Sequence, residues 1–416
     1  MTGTASGAAG APEAGATSEA ADTSEAGAAP KAGGRPRLGL LEWLILALAV
    51  FGALSAIWSL DWVASVRAAG IVLGGCFYLY LGRHIGRISL TARASALFLL
   101  AAVGVLVSLL SVVGYAFHWW RFSLEKDGVL TATGTFGYAN ALAGLLLLTL
   151  AATAALYLES RHPSLRDMRP DSAAHTEAKL QTGRRQAFGR LLLAAAAAPQ
   201  VATLVLTRSR AAAAVIVVLV LLFLIARAFG AAGGTRRRRW LGIALTLLLV
   251  CGLVAGGVLL WKEVAPQMAA SGLPPSGSDP EDIVPMTSNS FRIKTWMAAL
   301  EAARARPVLG YGLDTFYEAY SPFKLGAHTA YAHNVVIQHL VEVGGIGTAL
   351  LVAFLLVATL RPVKTLLGSL RNSQIPLLLG VQAFVLHNLV DLTWYFPALL
   401  FVFALVLGLT VSYPRQ

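Results

Sequence analysis

Ten long apolar stretches, separated by short polar segments, constrain this chain more than any other feature of its sequence. A helix needs about 20 apolar residues to cross the hydrocarbon core of a bilayer, and each stretch is close to that length. The stretches cover residues 38–58, 63–82, 94–117, 138–158, 190–207, 210–229, 240–260, 334–360, 375–394 and 397–413. The pattern predicts an all-α fold, a polytopic bundle of about ten transmembrane helices.

The composition agrees with a membrane protein and argues against a nucleic-acid-binding one. Of the 416 residues, 56% are hydrophobic and 13% are charged, whereas soluble domains carry about 25% charged residues. The net charge of +12 would suit nucleic acid, but the basic residues lie in short segments between the apolar stretches. That placement is a signal of membrane topology. The lipid bilayer, and not nucleic acid, is therefore the expected partner.

The distribution of positive charge predicts which side of the membrane each loop occupies. Cytoplasmic loops carry an excess of lysine and arginine. Most of the 33 basic residues fall on one side if the N-terminus is cytoplasmic, including the run from Arg236 to Arg239. We therefore expect a multi-pass protein of the inner (cytoplasmic) membrane with both termini in the cytoplasm.

Four regions follow from these predicted spans. Residues 1–34 are rich in Ala, Gly, Ser, Thr and Glu, so we expect a disordered cytoplasmic tail. Residues 35–260 hold transmembrane helices 1–7, and residues 334–416 hold helices 8–10. Between them, residues 261–333 form a long external loop, periplasmic or extracellular, which we expect to be catalytic.

The external loop contains one clear helical pattern. Ser288 to Ser290 offer a helix N-cap, apolar side chains recur at helical spacing from Ile293 to Ala303, and Pro307 ends the pattern. The loop is thus predicted to contain short amphipathic helices. A helix lying on the membrane surface and a helix packed on the bundle fit this pattern equally well.

Three arginines are candidates for binding an anion at the outer face. Arg208 and Arg210 lie in a very short turn at the outer end of the sixth span, against the positive-inside bias. Arginine at such a boundary is costly without a partner, although a helix anchor is the alternative interpretation. Arg292 lies near the start of the loop helix, where backbone N–H groups and a guanidinium suit phosphate. A solvated arginine is the alternative there.

His333 stands at the start of the eighth span, in the sequence AYAHN with Asn334. Histidine is able to act as a base near neutral pH, but a lone histidine is more often structural. His387 and Asp391 are four residues apart and are predicted to share one face of the ninth span. They are either a histidine oriented by a carboxylate or an interhelical polar pair.

Glu342 is the exception to a general convergence of ionisable residues on the outer face. It is predicted to lie about 13 Å deeper than His333 along the same helix. Its alternative role is to cap a helix break at Gly344 and Gly345.

Sequence signals for nucleotide or metal chemistry are absent. The chain has no P-loop, no GxGxxG leading from a strand into a helix, and no paired acids at metal-ligand spacing. We therefore expect neither a cofactor nor a metal site, and the energy for any transfer has to be stored in the substrate.

Five motifs in chain order resemble the O-antigen ligase superfamily, which includes O-antigen ligases and related polysaccharide polymerases of bacterial envelopes. They are SAIWSLDWVASVRAAGIVLGGCFYLYLG (55–82), GTFGYANALAG (134–144), LTRSRAAAAV (206–215), the series FRIKTWMAAL, PVLGYGLDTF and AHNVVIQHLVEVGGIG, and HNLVDLTWYFP (387–397). In the second motif Tyr138-Ala139 replaces the more usual Asn-Pro. Each motif is short, and the five together, in order and on one side of the membrane, are fairly specific.

The resemblance implies a GT-C-like, metal-independent membrane glycosyltransferase of cell-surface polysaccharide biosynthesis. Such an enzyme moves a glycan from undecaprenyl pyrophosphate to a hydroxyl of an acceptor glycan, lipid or protein. By this resemblance His333 is the general base, and Arg210 and Arg292 hold the pyrophosphate with help from Arg208. Supporting candidates are Asn334, Glu342, His387 and Asp391.

Two other functions stay open at this point. A polymerase of the same superfamily would extend one lipid-linked glycan with another. A transporter or flippase of lipid-linked sugars would typically show internal repeats and ionisable groups at the membrane midplane. The sequence shows no convincing repeat, and its ionisable groups gather at one face, which favours the enzyme.

Overall fold

The computed structural model describes residues 38–126, 129–160, 176–229, 288–325, 329–368 and 373–412. The N-terminal tail, the seventh predicted span and residues 261–287 of the external loop lie outside these ranges. The described residues are mostly helical, as predicted.

Eleven helices and one pair of strands make up the described ranges. The helices are α1 Leu40–Leu54, α2 Trp62–Ile88, α3 Leu90–Ala116, α4 Ala139–Glu159, α5 Thr176–Leu206, α6 Arg210–Phe229, α7 Ser288–Ala305, α8 Phe316–Tyr320, α9 Val335–Gly368, α10 Gln374–His387 and α11 Pro397–Thr410. The strands are β1 Ser123–Lys126 and β2 Val129–Ala132, which pair antiparallel with Ser123 opposite Ala132. Short 3-10 turns occupy Ser55–Ile57, Gly134–Phe136, Ser321–Phe323 and Thr393–Tyr395.

Nine of these helices are apolar enough to be compared with the predicted spans. Five have the length and composition to cross a membrane: Trp62–Ile88, Leu90–Ala116, Ala139–Glu159, Ala187–Leu206 and Val335–Leu360. Four are shorter: Leu40–Ser55, Arg210–Leu221, Gln374–His387 and Pro397–Thr410. Every predicted span that falls on described residues overlaps one of the nine. The number that cross the membrane stays a prediction.

The β1–β2 pair was missed by the all-α prediction. It joins α3 to α4. The sequence does contain a signal for it, because Asp127-Gly128 lies between two short runs with apolar residues, and Asp-Gly is a preferred hairpin turn.

The length of the predicted ninth span is wrong, because α10 ends at His387. The side-chain oxygen of the buried Asn388 accepts hydrogen bonds from the backbone of Trp394 and, at 3.0 Å, from the hydroxyl of Thr393. Its backbone oxygen accepts from the N–H of Val335 at 2.9 Å. Asparagine side chains that bond nearby backbone compete with helix continuation. The chain therefore turns at Asn388 and passes beside the start of α9.

The core lies among α1, α2, α4, α9, α10 and α11. Its fully buried side chains include Leu79 of α2, Phe354 of α9 and Phe403 of α11. The backbones of α2 and α11 approach closely, since a Cβ added at Gly408 would lie 2.4 Å from the backbone oxygen of Leu79. Small residues at such contacts are typical of helix packing in membranes.

Two buried ion pairs lie at one end of this core. The guanidinium of Arg93 is 2.6 Å from the carboxylate of Glu159 at the C-terminus of α4, and that of Arg83 is 2.8 Å from the carboxylate of Glu42. Arg93 also donates to the backbone oxygens of Leu409 and Ser412. We call Glu42, Arg83, Arg93 and Glu159 the closed end of the bundle.

Candidate functional site

The loop between α7 and α8 is inserted into a break in α9. Gly344 has φ of 62° within that helix, and the N–H of Gly345 donates to the backbone oxygen of Pro307 at 2.8 Å. A Cβ at Gly310 would lie 2.5 Å from the backbone oxygen of Glu342. Only glycine fits so close an approach with a positive φ. The predicted break is thus present, and it is bridged by backbone, including a bond from Gly312 N–H to the Glu342 oxygen at 2.7 Å.

The same loop is fastened to the connection between α1 and α2. The N–H of Leu313 donates to the hydroxyl of Ser55 at 3.0 Å, and the hydroxyl of Ser65 donates to the Leu313 oxygen at 2.7 Å. At the surface Arg67 and Asp314 form an ion pair of 2.9 Å. The first and fourth sequence motifs therefore form one structural unit.

Helix α7 packs on α8 and α9. Its Ala298, Ala299 and Ala302 are buried against α8 and the first turns of α9. The indole N–H of Trp296 donates to the backbone oxygen of Ala332 at 2.7 Å. Of the two alternatives that the helical pattern left open, the structure therefore supports the helix packed on the bundle.

His333 is held between two fixed residues. Ala332 is bonded through its oxygen to Trp296 and through its N–H to Gln338 at 2.9 Å. Asn334 caps α9, because its side-chain oxygen accepts from the N–H groups of Val336 and Ile337 at 2.9 and 3.0 Å. His333 itself has φ of 53°, a conformation that costs energy for a residue with a side chain and often marks a functional site.

The ring of His333 packs against Phe291, and its Nδ1 makes no hydrogen bond to the described residues. It meets the ring of Phe291 almost at a right angle, with centroids 6.0 Å apart. Its Nδ1 is buried and has no hydrogen-bond partner among the described residues. Burial lowers the pKa of His333 from 6.5, Arg292 lowers it further, and Asp391 opposes both. The imidazole is therefore neutral at neutral pH, the form that accepts a proton.

Arg292, one turn into α7, forms an ion pair with Asp391 in the turn after α10. The two groups are 3.3 Å apart; the Asp391 side chain is 0% exposed and that of Arg292 is 23% exposed. Asp391 also accepts from the hydroxyl of Tyr138 at 2.8 Å, from the amide of Asn140, and from the N–H of Leu392 at 2.8 Å. The carboxylate is thus saturated with donors and fixes Arg292 in place.

We call Tyr138, Asn140, Arg292, His333 and Asp391 the open end of the bundle. Asn140 lies at the start of α4 and Glu159, of the closed end, at its C-terminus. At 1.5 Å per residue the two ends are roughly 30 Å apart, which is the thickness of a hydrocarbon core.

The predicted helical pairing of His387 with Asp391 is wrong, because α10 ends between them. His387 is 0% exposed, and neither ring nitrogen has a hydrogen-bond partner within the described ranges. His387 is the last residue of α10, four residues before Asp391 in the chain. The structure therefore places His387 beside the open end without a direct bond to it.

Arg208 and Arg210 are exposed residues at the start of α6. Ser209 caps that helix by accepting the N–H of Ala212 at 3.2 Å. Ala212 packs near the start of α4 and the end of α10, so both arginines belong to the same end of the bundle as Asn140 and His387. No hydrogen bond or ion pair of the described residues joins them to Arg292, Asp391 or His333.

Glu342 lies apart from the open end, inside α9. It is 0% exposed, and one carboxylate oxygen accepts from the amide of Gln338 at 2.8 Å. Its backbone oxygen accepts the N–H of Gly312 at 2.7 Å across the break in α9. In the part of the chain that the structure describes, no three His, Cys, Asp or Glu side chains lie together as a metal site requires.

Comparison with protein families bears on the relationship that the motifs suggested. A family model described as O-antigen ligase matches residues 192–352. This segment is therefore similar to the O-antigen ligase family, which supports the resemblance drawn from the motifs. The match also supports a ligase- or polymerase-like function in polysaccharide biosynthesis, and the apolar helices support a membrane protein. A comparison with curated proteins finds none that matches the chain.

The matched segment contains Arg208, Arg210, Arg292 and His333. Asp391, which pairs with Arg292, lies outside the match, as do Tyr138 and Asn140, which bond to Asp391. Sequence reasoning quoted Tyr138 and Asn140 within a motif and gave them no role. The signal that points to them is the presence of polar side chains at the start of an otherwise apolar span, a position where ionisable and amide groups tend to be functional.

Proposed function

We propose that this protein is a membrane glycosyltransferase that moves a glycan from undecaprenyl pyrophosphate to an acceptor hydroxyl outside the cytoplasmic membrane. The observation that carries the proposal is the open end. There a partly exposed arginine is fixed by a saturated carboxylate, beside a partly buried neutral histidine whose Nδ1 makes no hydrogen bond to the described residues.

In the proposed reaction His333 acts as general base. Its unprotonated nitrogen takes the proton of the acceptor hydroxyl, and the hydroxyl oxygen forms a bond to the anomeric carbon of the donor sugar. The bond from that carbon to the pyrophosphate oxygen breaks, and undecaprenyl pyrophosphate leaves with the electron pair. A positioned base of this kind contributes about 10²–10⁴-fold to the rate.

The arginines supply the charge that the leaving group needs. Asp391 holds Arg292 through one terminal nitrogen, so the remaining N–H groups stay available for phosphate oxygens. Arginine binds phosphate in a fork geometry, and fixed charges at a dry site stabilise a developing anion strongly. Arg210, with help from Arg208, would contact the second phosphate from the start of α6. In this proposal no metal ion is required.

The orientation and architecture belong to the same proposal. The open end faces outward, the closed end and both termini face the cytoplasm, and about ten spans form a GT-C-like bundle. Regions 35–260 and 334–416 would be the membrane domain around a catalytic loop of residues 261–333, with a cytoplasmic tail of residues 1–34. Asn334 caps α9 and would hold His333 in place, with His387 as a buried neighbour.

The test is a transfer assay with purified full-length protein in nanodiscs. Undecaprenyl-pyrophosphate glycan is supplied with a panel of acceptors, and release of undecaprenyl pyrophosphate is followed with and without EDTA. We expect acceptor-dependent release that survives EDTA and collapses in His333→Ala, Arg210→Ala and Arg292→Ala. A lipid-linked glycan as the working acceptor would identify a polymerase, and a lipid, protein or other polymer a ligase. Absence of release, together with movement of the glycan between leaflets in proteoliposomes, would identify a flippase and overturn the proposal.

A further inference from the structure

Two half-buried tyrosines lie beside the open end, and the transfer mechanism gives them no role. Tyr331, two residues before His333, has its ring centroid 5.3 Å from that of Tyr395. The rings are tilted by 44°, so neither fully covers the other. Both side chains are partly exposed.

We propose that Tyr331 and Tyr395 form a subsite for a sugar ring, belonging either to the glycan of the donor or to the acceptor. The inference rests on the proposed glycosyl transfer and adds to it the place where the sugar binds. We call this pair the tyrosine subsite.

The chemistry of the tyrosine subsite fits a sugar ring. The face of an aromatic ring is negatively polarised, and the C–H bonds on one face of a sugar ring are its complement. The hydroxyl of Tyr395 is 3.1 Å from Nδ1 of the buried His339, and this contact fixes the orientation of the Tyr395 ring.

Hydrogen bonds fix the short segment of chain that joins Tyr331 to His333. The hydroxyl of Thr329 accepts from the N–H of Tyr331 at 3.1 Å and donates to its oxygen at 2.8 Å. Ala332 is also held by hydrogen bonds, through its oxygen to Trp296 and through its N–H to Gln338. Two residues of chain span at most about 7 Å, so the backbones of Tyr331 and His333 lie within that distance of each other, and one sugar would be able to contact both residues.

A second aromatic group near the open end provides a contrast. Phe396 stacks on Tyr138 with an interplanar angle of 6°, and Phe136 meets Phe396 edge-on. The hydroxyl of Tyr138 is already bonded to Asp391. The rings of Phe396 and Tyr138 lie parallel and cover one another, so they are less suited to a sugar than the tilted rings of the tyrosine subsite.

The test measures binding to full-length protein in nanodiscs, with three probes. The probes are sugar-free undecaprenyl pyrophosphate, lipid-linked glycan extracted from the producing cells, and the envelope polysaccharide fraction of the same cells. The variants are Tyr331→Leu, Tyr395→Leu and the ring-retaining Tyr331→Phe. Tyr317→Leu is the matched control, because Tyr317 is 50% exposed near the same loop and lies outside the subsite.

We expect both leucine variants to weaken binding of a sugar-bearing probe about tenfold, the loss of one to two aromatic contacts. Binding of the sugar-free lipid should stay unchanged, and Tyr331→Phe and Tyr317→Leu should bind as the wild type does. Weaker binding of the lipid-linked glycan assigns the subsite to the donor, and weaker binding of the polysaccharide assigns it to the acceptor.

Unchanged affinity for both sugar-bearing probes, or an equal loss for the sugar-free lipid, overturns the subsite. The subsite is also overturned if wild-type protein binds the glycan-bearing lipid no more tightly than the sugar-free lipid and does not bind the polysaccharide. Arg292→Ala reports on the proposed function separately. If it leaves binding of sugar-free undecaprenyl pyrophosphate intact, the pyrophosphate site fails while the tyrosine result stands.

Discussion

The open and closed ends of the bundle both contain buried charges, yet their arrangements differ. At the closed end the side chains of Arg93 and Glu159 are 0% and 4% exposed, and Arg93 also bonds two backbone oxygens. At the open end Asp391 is equally buried, but its partner Arg292 is 23% exposed and His333 keeps an unused nitrogen. The difference lies in exposure: the charged side chains of the closed end are 0–10% exposed, whereas Arg292 stays accessible enough to meet a ligand.

The largest effect, a loss of stability, is expected from removing the ion pair of Arg93 and Glu159 at the closed end. Arg93→Leu leaves Glu159 buried without its cation, which costs about 3–5 kcal/mol and should lower the unfolding temperature of the detergent-solubilised protein strongly. The double variant Arg93→Leu with Glu159→Leu should recover much of that loss. Arg304→Leu is the control, because its pair with Glu301 is exposed at 72% and 56% and such pairs contribute about 0–1 kcal/mol. Equal shifts in Arg93→Leu and Arg304→Leu would refute the structural role.

At the open end the expected loss is in activity. Asp391→Asn keeps the shape but removes the charge that fixes Arg292, and a misplaced binding group costs up to about 100-fold in rate. The unfolding temperature should change less than in Arg93→Leu. If Asp391 acts through Arg292, adding Asp391→Asn to Arg292→Ala should lower kcat/KM no further. A full additional loss in the double variant would show that Asp391 has a separate role.

The smallest expected effect is a shift in pH dependence. His333 must be neutral to accept a proton, and its pKa is lowered from 6.5 mainly by burial. Activity should therefore be full at neutral pH, and kcat/KM should fall only as pH drops through a midpoint below 6.5. The residual activity of Arg292→Ala should show a higher midpoint, because Arg292 lowers this pKa, and that of Asp391→Asn a lower one. Shifts in the reverse directions would contradict the assignment of the titrating group.

The sequence revealed the helices and the candidate site residues more readily than the partners of those residues. Hydrophobic runs are local signals, so the predicted spans on described residues coincide with helices, and Arg292 and His333 could be named from their motifs. Arg292 is 99 residues from Asp391, and Tyr138 is 253 residues from it. No periodicity connects residues so far apart.

Local patterns also failed where a side chain competed with the helix. Spacing placed His387 and Asp391 on one helical face, but the bonds of Asn388 to Thr393 and Trp394 end α10 first. The break at Gly344 was visible as a glycine pair, whereas the loop that fills it was not, because that contact depends on the tertiary fold.

The central claim is that the open end faces outward and the closed end faces the cytoplasm, and labelling of single cysteines in intact cells tests it most directly. The background is Cys251→Ser, and the native Cys76 is buried. Tyr317→Cys, in α8, reports on the side of the open end, and Thr91→Cys, two residues before Arg93, reports on the closed end. Both positions are exposed. A membrane-impermeant maleimide should label Tyr317→Cys in intact cells and Thr91→Cys only after the membrane is opened. Labelling of Thr91→Cys and protection of Tyr317→Cys in intact cells would contradict the account.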